Sequence, residues 1–450
     1  MKSVDVLVIG GSAAGLVTAL TGKSHYPEKS FLLIRKEESV VVPCGIPYIF
    51  GSLENSAQNV IPDSKLEKLG IELLVGEVSE VKPDQKQVVM SDGEEIGYDK
   101  LVLAIGSNPV IPGWLNGADQ EHVYTVPKNK AYLDQMLEEL EEKQEIVVIG
   151  GGFIGVELSD ELRKRGKDVT VVELLPHVLS AVFDEPLAER AESILIERGV
   201  KVEAGSGVKE LIGNGKVTGV KLQDGKELSA DAVILSMGYR PNTELARAAG
   251  ISTNDLGFIR VDQYLRTETP DVFAVGDCAE KRDFITNKVI GTMLASTACA
   301  EARVTGMNLY QLEAVRTFTG TISNFATAFG DHAFGVAGIT EATAEKEGFD
   351  YITAEFEGVD HHPGKLPGTH KQLVKLVVAK DSGLILGGSV YGGCTVGEVV
   401  NVIGLAIQNR MTVSEVLTAQ IGTHPLLTAP PTAYPLIKAA ESALKKIRHN

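Results

Sequence analysis

The 450-residue sequence contains few cysteines, no long apolar run and no long basic run. Its four cysteines stand far apart and without pattern, which excludes both a disulfide framework and a zinc site. No apolar run approaches the ~18 residues of a membrane-spanning helix, and the first residues lack a signal-peptide pattern. The net charge of −17 argues against nucleic acid or an anionic membrane as a partner. We therefore expect a cytoplasmic protein of about three domains, without a metal site.

A stiff segment at residues 42–48 holds Cys44 between two prolines. Proline fixes its own φ and restrains the residue before it, so Pro43 and Pro47 limit the movement of this segment. Gly45, directly after the cysteine, leaves one side of the sulfur uncovered. A thiol held in this way suits redox chemistry, in which the thiolate attacks from one direction. A cysteine buried in a tight turn is the alternative interpretation.

A glycine-rich turn follows the first predicted strand. Residues 5–9 are apolar and strand-like, and residues 10–15 read Gly-Gly-Ser-Ala-Ala-Gly before a helix of small residues. Glycines in such a βα turn let the backbone approach a pyrophosphate, which binds at the helix N-terminus. Ser12 replaces the middle glycine of the G-x-G-x-x-G fingerprint, so this turn alone does not identify a dinucleotide site. The residues that we expect to contact the dinucleotide are Gly10, Ser12, Ala13, Ala14 and Gly15.

A second unit of the same kind lies further along the chain. Residues 145–149 form an apolar strand pattern, and residues 150–155 read Gly-Gly-Gly-Phe-Ile-Gly, with every glycine of the fingerprint present. Two strand–glycine–helix units in one chain predict two dinucleotide sites. The expected contact residues of the second site are Gly150, Gly152, Phe153, Ile154 and Gly155.

The end of the next strand in each unit indicates how the adenosine ribose is held, because a carboxylate there accepts hydrogen bonds from the ribose hydroxyls. In the second unit this residue is Glu173, which would repel a 2′-phosphate and so favours NADH over NADPH. A solvated strand-end glutamate is the alternative. In the first unit the corresponding residues are Arg35 and Lys36, which we include among the cofactor contacts. Glu37 or Glu38 could supply the missing carboxylate.

Three further strands end in glycine turns and resemble segments of flavoproteins. Residues 98–107 resemble the segment that closes the flavin domain, and residues 235–242 resemble its counterpart in the nicotinamide domain. Residues 269–277 end in Gly-Asp and match the second flavin motif, whose aspartate holds the ribitol. The residues expected at the cofactors are Ala104, Gly106, Gly238, Gly276 and Asp277.

The order of these motifs implies a flavin domain that is interrupted by a nicotinamide domain and followed by a C-terminal domain. In the last part, residues 373–379 and 384–390 alternate like antiparallel strands before an amphipathic helix. We expect a subunit interface there. The fold class is α/β, with two Rossmann-like domains, for FAD and NAD, and an α+β dimerisation domain. The expected limits are 1–113 and 244–316 for the FAD domain, 114–243 for the NAD(P)H domain and 317–450 for the dimerisation domain.

The whole chain resembles the pyridine nucleotide–disulfide oxidoreductases. Members with a dithiol motif carry Cys-x₄-Cys, but Ile49 stands five residues after Cys44, which excludes an internal redox disulfide. Residues 44–48 are similar to the Cys-Gly-Leu-Pro-Tyr of the single-cysteine branch. That branch includes coenzyme A-disulfide, persulfide and polysulfide reductases and NADH oxidases and peroxidases. The resemblance implies a homodimer whose active site is shared between the subunits.

The resemblance also implies a mechanism. FAD is expected at the first glycine turn with Asp277, and NADH at the second turn with Glu173. Hydride passes from NADH to FAD, and Cys44, with Pro43 beside it, attacks a low-molecular-weight disulfide, persulfide or polysulfide. An oxidised flavin and a helix N-terminus would favour the Cys44 thiolate. Glu157 matches a glutamate near the flavin in this family, with a charge on a helix face as the alternative.

The C-terminal part departs from the family pattern in several places. His424 resembles the histidine of glutathione-reductase-like members, but the glutamate expected five residues later is Ala429. We expect His424 to assist acid–base chemistry from the partner subunit, with a structural histidine as the alternative. Coenzyme A-disulfide reductases have tyrosines where this chain has Thr428 and residues 365–366. Tyr434 could replace them.

Three questions stay open at the level of sequence. Lys23 falls where coenzyme A-using relatives place basic residues for the nucleotide phosphates, or it is an ordinary surface lysine, so coenzyme A is a candidate ligand. An NADH oxidase or peroxidase would use Cys44 through a sulfenic acid. A flavin-binding electron carrier would use Cys44 only structurally, although ferredoxin-reductase-like relatives lack this cysteine and the interface domain.

Overall fold

The computed structural model describes residues 2–312 and 317–449, whose strands and α-helices are numbered here in chain order. The strands of the first half are β1 Lys2–Ile9, β2 Phe31–Arg35, β3 Glu72–Val75, β4 Val78–Lys82, β5 Gln87–Met90, β6 Glu95–Leu103, β7 Ser107–Pro109, β8 Val123–Thr125, β9 Glu145–Ile149, β10 Asp168–Val172, β11 Lys201–Glu203 and β12 Val208–Gly213. The later strands are β13 Val217–Leu222, β14 Glu227–Ser229, β15 Ala232–Leu235, β16 Tyr239–Pro241, β17 Val272–Ala274, β18 Lys281–Arg282, β19 Val289–Ile290, β20 Phe325–Phe329, β21 His332–Gly338, β22 Tyr351–Val359, β23 Lys371–Ala379 and β24 Ile385–Gly392. The helices are α1 Ala13–His25, α2 Ser64–Lys68, α3 Lys130–Glu141, α4 Phe153–Lys164, α5 Glu185–Glu197, α6 Glu244–Ala248, α7 Ala295–Met307, α8 Glu341–Glu347, α9 Val396–Gln408, α10 Val413–Leu417 and α11 Pro435–His449.

The first sheet is built around β1, which pairs in parallel with β2 and β6. Its order is β3-β2-β1-β6-β5-β4, and β17 joins it by pairing with β6 although β17 follows the second sheet in the chain. Every residue of β2 is buried, as expected for a parallel strand covered on both faces. Helix α1 continues from β1 across the first glycine turn and packs against α7.

The second sheet has five parallel strands in the order β11-β10-β9-β15-β8. Strand β9 leads through the second glycine turn into α4, which repeats the arrangement of β1 and α1. A separate antiparallel sheet contains β12, β13 and β14. The two predicted strand–glycine–helix units are therefore confirmed, and so is the prediction of two Rossmann-like domains.

The third large sheet is antiparallel, with the order β20-β21-β24-β23-β22. Helix α9 packs on β21 and β24, and α11 packs on β22 and β23. The predicted strand pair corresponds to β23 and β24, so the α+β character of this part is confirmed. The domain limits stay predictions, and the one at residue 316 lies outside the described ranges.

One apolar core holds the cysteine segment against the rest of the molecule. Ile46 of that segment, and Ile49 and Phe50 directly after it, pack in the same core as Val156 of α4. Phe153 of α4 packs edge to face on Phe325 of β20, with 4.5 Å between the ring centroids. The cysteine segment, α4 and the third sheet are therefore packed together through one apolar core. Among the described helices, none is long and apolar enough to cross a membrane.

Candidate active site

Cys44 lies on a short 3₁₀ turn, Pro43–Gly45, and its thiol is exposed. Asn59 packs against Gly45 and donates its Nδ2–H to the Val42 carbonyl at 3.0 Å. A side chain at position 45 would overlap the Asn59 amide, so close packing requires the glycine. We expected Gly45 to leave the sulfur uncovered. The structure adds a second reason for the glycine: its lack of a side chain lets Asn59 approach and bind the backbone next to Cys44.

The surroundings of Cys44 raise the pKa of its thiol. Burial among the surrounding protein atoms is the largest cause, although Cys44 as a residue is exposed. The negative charge of Glu157 adds to the rise, and the Lys128 ammonium opposes it. The segment forms two successive 3₁₀ turns, Pro43–Gly45 and Pro47–Phe50, and Cys44 lies in the first of them. The side chains around Cys44 by themselves favour the neutral thiol.

Glu157 lies on α4 and accepts a hydrogen bond of 2.7 Å from the Thr327 hydroxyl of β20. Burial raises the pKa of Glu157 to about 7. The hydrogen bond from Thr327 works in the opposite direction, and the charge of Glu161 adds to the rise. Glu157 therefore changes its charge near neutral pH and acts electrostatically on Cys44.

A second glutamate of α4 anchors the chain after the cysteine segment. Both oxygens of Glu161 accept hydrogen bonds from Ser52, at 2.5 Å from the backbone N–H and at 3.1 Å from the hydroxyl. A Cβ at Gly51 would overlap Glu161, so only glycine fits there. Sequence reasoning missed Glu161. The available signal was its position four residues after Glu157, on the same face of one helix.

The first glycine turn has the close packing that a dinucleotide site needs. Gly10 has a φ of +111°, and a Cβ there would overlap the Ala104 carbonyl. A Cβ at Gly15 would overlap the Gly10 carbonyl, and one at Gly276 would lie 2.7 Å from the Ala14 Cβ. Ser12, at the middle glycine position, is the N-cap of α1 and has extended backbone angles. These residues fit FAD, with its pyrophosphate at the start of α1.

Asp277, at the Gly-Asp turn, is held by two donors. Its Oδ2 accepts from the Ser107 hydroxyl at 2.8 Å and from the Lys128 ammonium at 2.6 Å. Burial opposes ionisation, but Lys128 and Ser107 outweigh it and hold the pKa of Asp277 below its usual value. The carboxylate is therefore charged at neutral pH, as a ribitol ligand should be.

A buried ion pair supports the same turn. The Lys281 ammonium lies 3.5 Å from Glu301, and both side chains are fully buried. Lys281 donates to the Gly276 carbonyl at 2.5 Å, while the Gly276 N–H donates to Glu301 at 2.8 Å. The pair thus fixes both backbone groups of Gly276. Sequence reasoning missed it, because no local pattern links the two residues.

The second glycine turn repeats the packing of the first. Gly150 has a φ of +109° and approaches the Ser236 carbonyl, while Gly155 approaches the Gly150 carbonyl. Glu173 is fixed by two backbone donors, Gly151 N–H at 2.6 Å and Leu175 N–H at 2.7 Å. The remaining predicted residues lie in three places. Gly106 follows β6 and Gly238 follows β15. Gly152 is the N-cap of α4, and Phe153 and Ile154 are its first residues.

Three basic residues that we expected near cofactors have partners in the protein. Arg35 is buried and forms an ion pair with Asp63. Lys36 forms an exposed ion pair with Glu77. Lys23 donates to two backbone carbonyls in the turn after α1, at 2.7 and 2.8 Å. The Arg35 side chain therefore carries a structural function in addition to any contact with a cofactor.

The predicted C-terminal residues lie in two different environments. His424 is exposed, and its Nδ1 accepts from the Leu426 N–H at 3.2 Å within a turn that the Thr428 hydroxyl closes. Tyr434 is only 8% exposed and belongs to the core of the third sheet, where burial raises its pKa. Their catalytic roles stay predictions. In the described ranges, no group of three or more His, Cys, Asp or Glu side chains could hold a metal ion.

The two glycine turns, the Gly-Asp turn and the exposed Cys44 define a flavin- and nicotinamide-dependent oxidoreductase. The chain belongs to the pyridine nucleotide-disulphide oxidoreductases: residues 4–302 match that family, and residues 325–434 match its dimerisation domain. The predicted family is confirmed. Membership implies FAD and NAD(P)H as the cofactors.

Relatives within the family carry two kinds of name. The chain is 31% identical over 457 aligned residues to an NADH oxidase of Methanocaldococcus jannaschii, covering 98% of this chain and 99% of that protein. It is 32% identical over 394 residues to an NAD(P)H coenzyme A polysulfide/persulfide reductase of Pyrococcus horikoshii, covering 86% and 87%. The solved NAD-dependent persulfide reductase of A. fulgidus superposes with a TM-score of 0.90 at 29% identity, over 99% of this chain and 84% of that one.

Proposed function

We propose that this protein uses NAD(P)H to reduce a low-molecular-weight sulfur compound, namely coenzyme A disulfide, a persulfide or a polysulfide, through Cys44. The observation that carries the proposal is the exposed thiol on a turn whose backbone Asn59 fixes. Ile49, at the position of a second redox cysteine, is buried in the core. The names of the P. horikoshii and A. fulgidus relatives support the same substrate class.

In the proposed reaction the Cys44 thiolate attacks one sulfur of a substrate R–S–S–R, forms a mixed disulfide and releases one RS⁻. Bound FAD supplies the electron pair that NAD(P)H has delivered as a hydride. That pair cleaves the mixed disulfide, which returns the Cys44 thiolate and releases the second RS⁻. Overall, one NAD(P)H and one proton convert one disulfide into two thiols.

A second subunit completes the proposed site. The match to the dimerisation domain includes His424, and beside it Leu426 and Leu427 are 57% and 66% exposed. Neighbouring exposed apolar side chains of this kind are typical of an interface. We place His424 at this interface, where it would assist proton transfer in the partner's site. A measured mass of one chain per particle in light scattering would reject this arrangement.

An NADH oxidase is the second candidate. The M. jannaschii relative with that name matches almost the whole chain. Thr428, Lys365 and Leu366 also depart from the tyrosine pattern of coenzyme A-disulfide reductases. In this case the Cys44 thiolate would be oxidised to a sulfenic acid by peroxide, which leaves as water, and two electrons from NADH would return the sulfenic acid to the thiolate with release of a second water.

Anaerobic reduction with NADH followed by stopped-flow reoxidation separates the two candidates. The reduced protein is mixed in turn with coenzyme A disulfide, coenzyme A persulfide, polysulfide, peroxide and oxygen. We expect a sulfur compound to reoxidise it fastest. Cys44→Ser should keep reduction by NADH but lose sulfur turnover, whereas Cys394→Ser, which removes another exposed thiol, should keep both. Faster reoxidation by oxygen or peroxide, or sulfur turnover by Cys44→Ser, would reject the proposal.

A further inference from the structure

The first dinucleotide site lacks an acceptor at the end of β2. The register of β1 and β2 pairs Ile9 with Ile34, so Arg35 lies beside the start of the glycine turn. A carboxylate at this position accepts hydrogen bonds from the adenosine ribose hydroxyls. An arginine side chain has only donors, so Arg35 cannot accept them. The strand end therefore needs an acceptor from elsewhere in the chain.

The Arg35 side chain is fixed against the glycine turn. Its stem packs on Gly11, where an added Cβ would lie 2.7 Å from the Arg35 Cδ. Its Nε–H donates to the Glu37 carbonyl at 2.8 Å, and Nη2 donates to the Glu38 carbonyl at 2.7 Å. Only 3% of the side chain is exposed. The guanidinium is therefore a rigid platform rather than a mobile surface charge.

Asp63 binds this platform with both carboxylate oxygens. Arg35 Nη1 donates to Oδ1 at 2.5 Å, and Nη2 donates to Oδ2 at 2.7 Å. Such two-point pairing fixes the plane of the carboxylate as well as its position. Asp63 makes no side-chain hydrogen bond to cap α2, and 34% of its side chain is exposed. Each carboxylate oxygen has more than one acceptor position, so both oxygens keep acceptor capacity beside the bonds from Arg35.

The geometry points to Asp63 as the residue that accepts hydrogen bonds from the adenosine ribose of FAD, with Arg35 as the residue that positions it. The pair restores, from a different part of the chain, the carboxylate that the end of β2 lacks. The backbone carbonyls of Glu37 and Glu38 support the Arg35 guanidinium, and their carboxylates are the alternative acceptors that the controls below test. This inference rests on the proposed FAD-dependent function and names a ligand of the cofactor.

The test compares FAD with its analogue that lacks the 2′-hydroxyl of the adenosine ribose. Dissociation constants of both are measured on the apoprotein of the wild type and of Asp63→Asn. The wild type should bind FAD about tenfold more tightly than the analogue, since a hydrogen bond to a charged group is lost. Asp63→Asn should bind FAD about tenfold more weakly and should no longer distinguish the two ligands. Matched controls are Glu37→Gln and Glu38→Gln, which should behave like the wild type.

A purely structural role of Asp63 predicts a different pattern. In that case Asp63→Asn would lower the melting temperature of the apoprotein and would weaken the binding of FAD and of its analogue equally. The preference for the ligand with the 2′-hydroxyl would then be retained. Adding Arg35→Glu to Asp63→Asn returns a carboxylate to the strand end and should restore that preference. Retained preference in Asp63→Asn, or its loss in Glu37→Gln or Glu38→Gln, would overturn the inference alone. A wild-type protein that does not bind FAD would overturn the proposed function as well.

Discussion

Thr327 donates a hydrogen bond of 2.7 Å to Glu157 and so joins the third sheet to the helix behind the second glycine turn. Burial raises the pKa of Glu157 to about 7, and the charge of Glu157 raises the pKa of Cys44. The dimerisation region therefore influences the Cys44 thiol through one hydrogen bond and one carboxyl group. This relationship connects all three parts of the chain at the candidate site.

Replacing Glu157 by glutamine should lower the pKa of Cys44. Above pH 7 the wild-type carboxylate is charged and disfavours the thiolate, and glutamine removes that charge. We expect the pKa of Cys44 to fall, because a nearby like charge that disfavours the thiolate is lost. The rate of Cys44 alkylation by iodoacetamide, measured against pH, reports this pKa.

Thr327→Val provides a second test of this prediction, in which the effect on Cys44 is limited to a range of pH. It removes the hydrogen bond that stabilises the charged form, so the pKa of Glu157 should rise further above 7. Cys44 should then alkylate faster than in the wild type just above pH 7, and the difference should vanish once Glu157 ionises. Identical alkylation profiles in all three proteins would show that Glu157 does not act on the thiol.

Lys128→Met should make FAD binding sensitive to acid. Lys128 and Ser107 hold the pKa of Asp277 low against the effect of burial, so without Lys128 that pKa should rise above its usual value. A carboxyl with a raised pKa becomes protonated as the pH falls, and it then loses its strength as a ribitol acceptor. We expect FAD affinity to drop about tenfold between pH 7 and pH 5 in the variant only.

Fluorescence titration with FAD at several pH values measures this effect. Lys130→Met is the matched control, because Lys130 is a nearby lysine whose ion pair, with Asp134, lies outside the Gly-Asp turn. It should bind FAD like the wild type at every pH. The same acid sensitivity in the wild type would contradict the role given to Lys128.

Gly51→Ala should destabilise the protein. The added methyl would overlap the side chain and backbone of Glu161, which also binds Ser52. Overpacking of this kind lowers the free energy of unfolding by ~1–3 kcal/mol. Gly113→Ala is the control, since no atom lies within 4 Å of a Cβ there. Chemical denaturation should show a lower midpoint for Gly51→Ala alone, and equal midpoints would contradict the contact.

Glu173→Gln should widen the choice of nicotinamide cofactor. Gly151 and Leu175 fix the Glu173 carboxylate where a 2′-phosphate would approach, and glutamine removes its charge while keeping an acceptor. We expect the ratio of kcat/KM for NADPH over NADH to rise about tenfold, which corresponds to ~1.4 kcal/mol. Glu203→Gln, on the neighbouring strand β11, should leave the ratio unchanged. An unchanged ratio in Glu173→Gln would contradict the proposed preference for NADH.

Local patterns in the sequence predicted much of the fold. A strand, a glycine turn and a helix occupy consecutive residues, and Gly15 and Gly155 are required by the carbonyls of Gly10 and Gly150 within that short stretch. The same holds for the hairpin of β23 and β24 and for the single cysteine at Cys44. Family, fold class and the two dinucleotide units could therefore be predicted before the tertiary structure was known.

The electrostatic environment of the site could not be predicted in this way. Glu157 and Thr327, like Glu161 and Ser52, meet only because separate elements pack together. A pKa depends on burial and on charges within a few ångströms, whatever their distance along the chain. The rise in the pKa of Cys44, which burial and Glu157 cause, could not be read from the sequence for this reason.

The sequence by itself determined which elements form and which chemistry the chain carries, because glycine turns and a stiff cysteine segment are short-range features. Only the tertiary structure decided which side chains surround that chemistry. Arg35 illustrates the difference. In the sequence it is an unexplained basic residue at a strand end, and in the fold it holds the Asp63 carboxylate in two hydrogen bonds. The packing of α2 against the first sheet brings that carboxylate there, and no pattern in the residues around Arg35 encodes it.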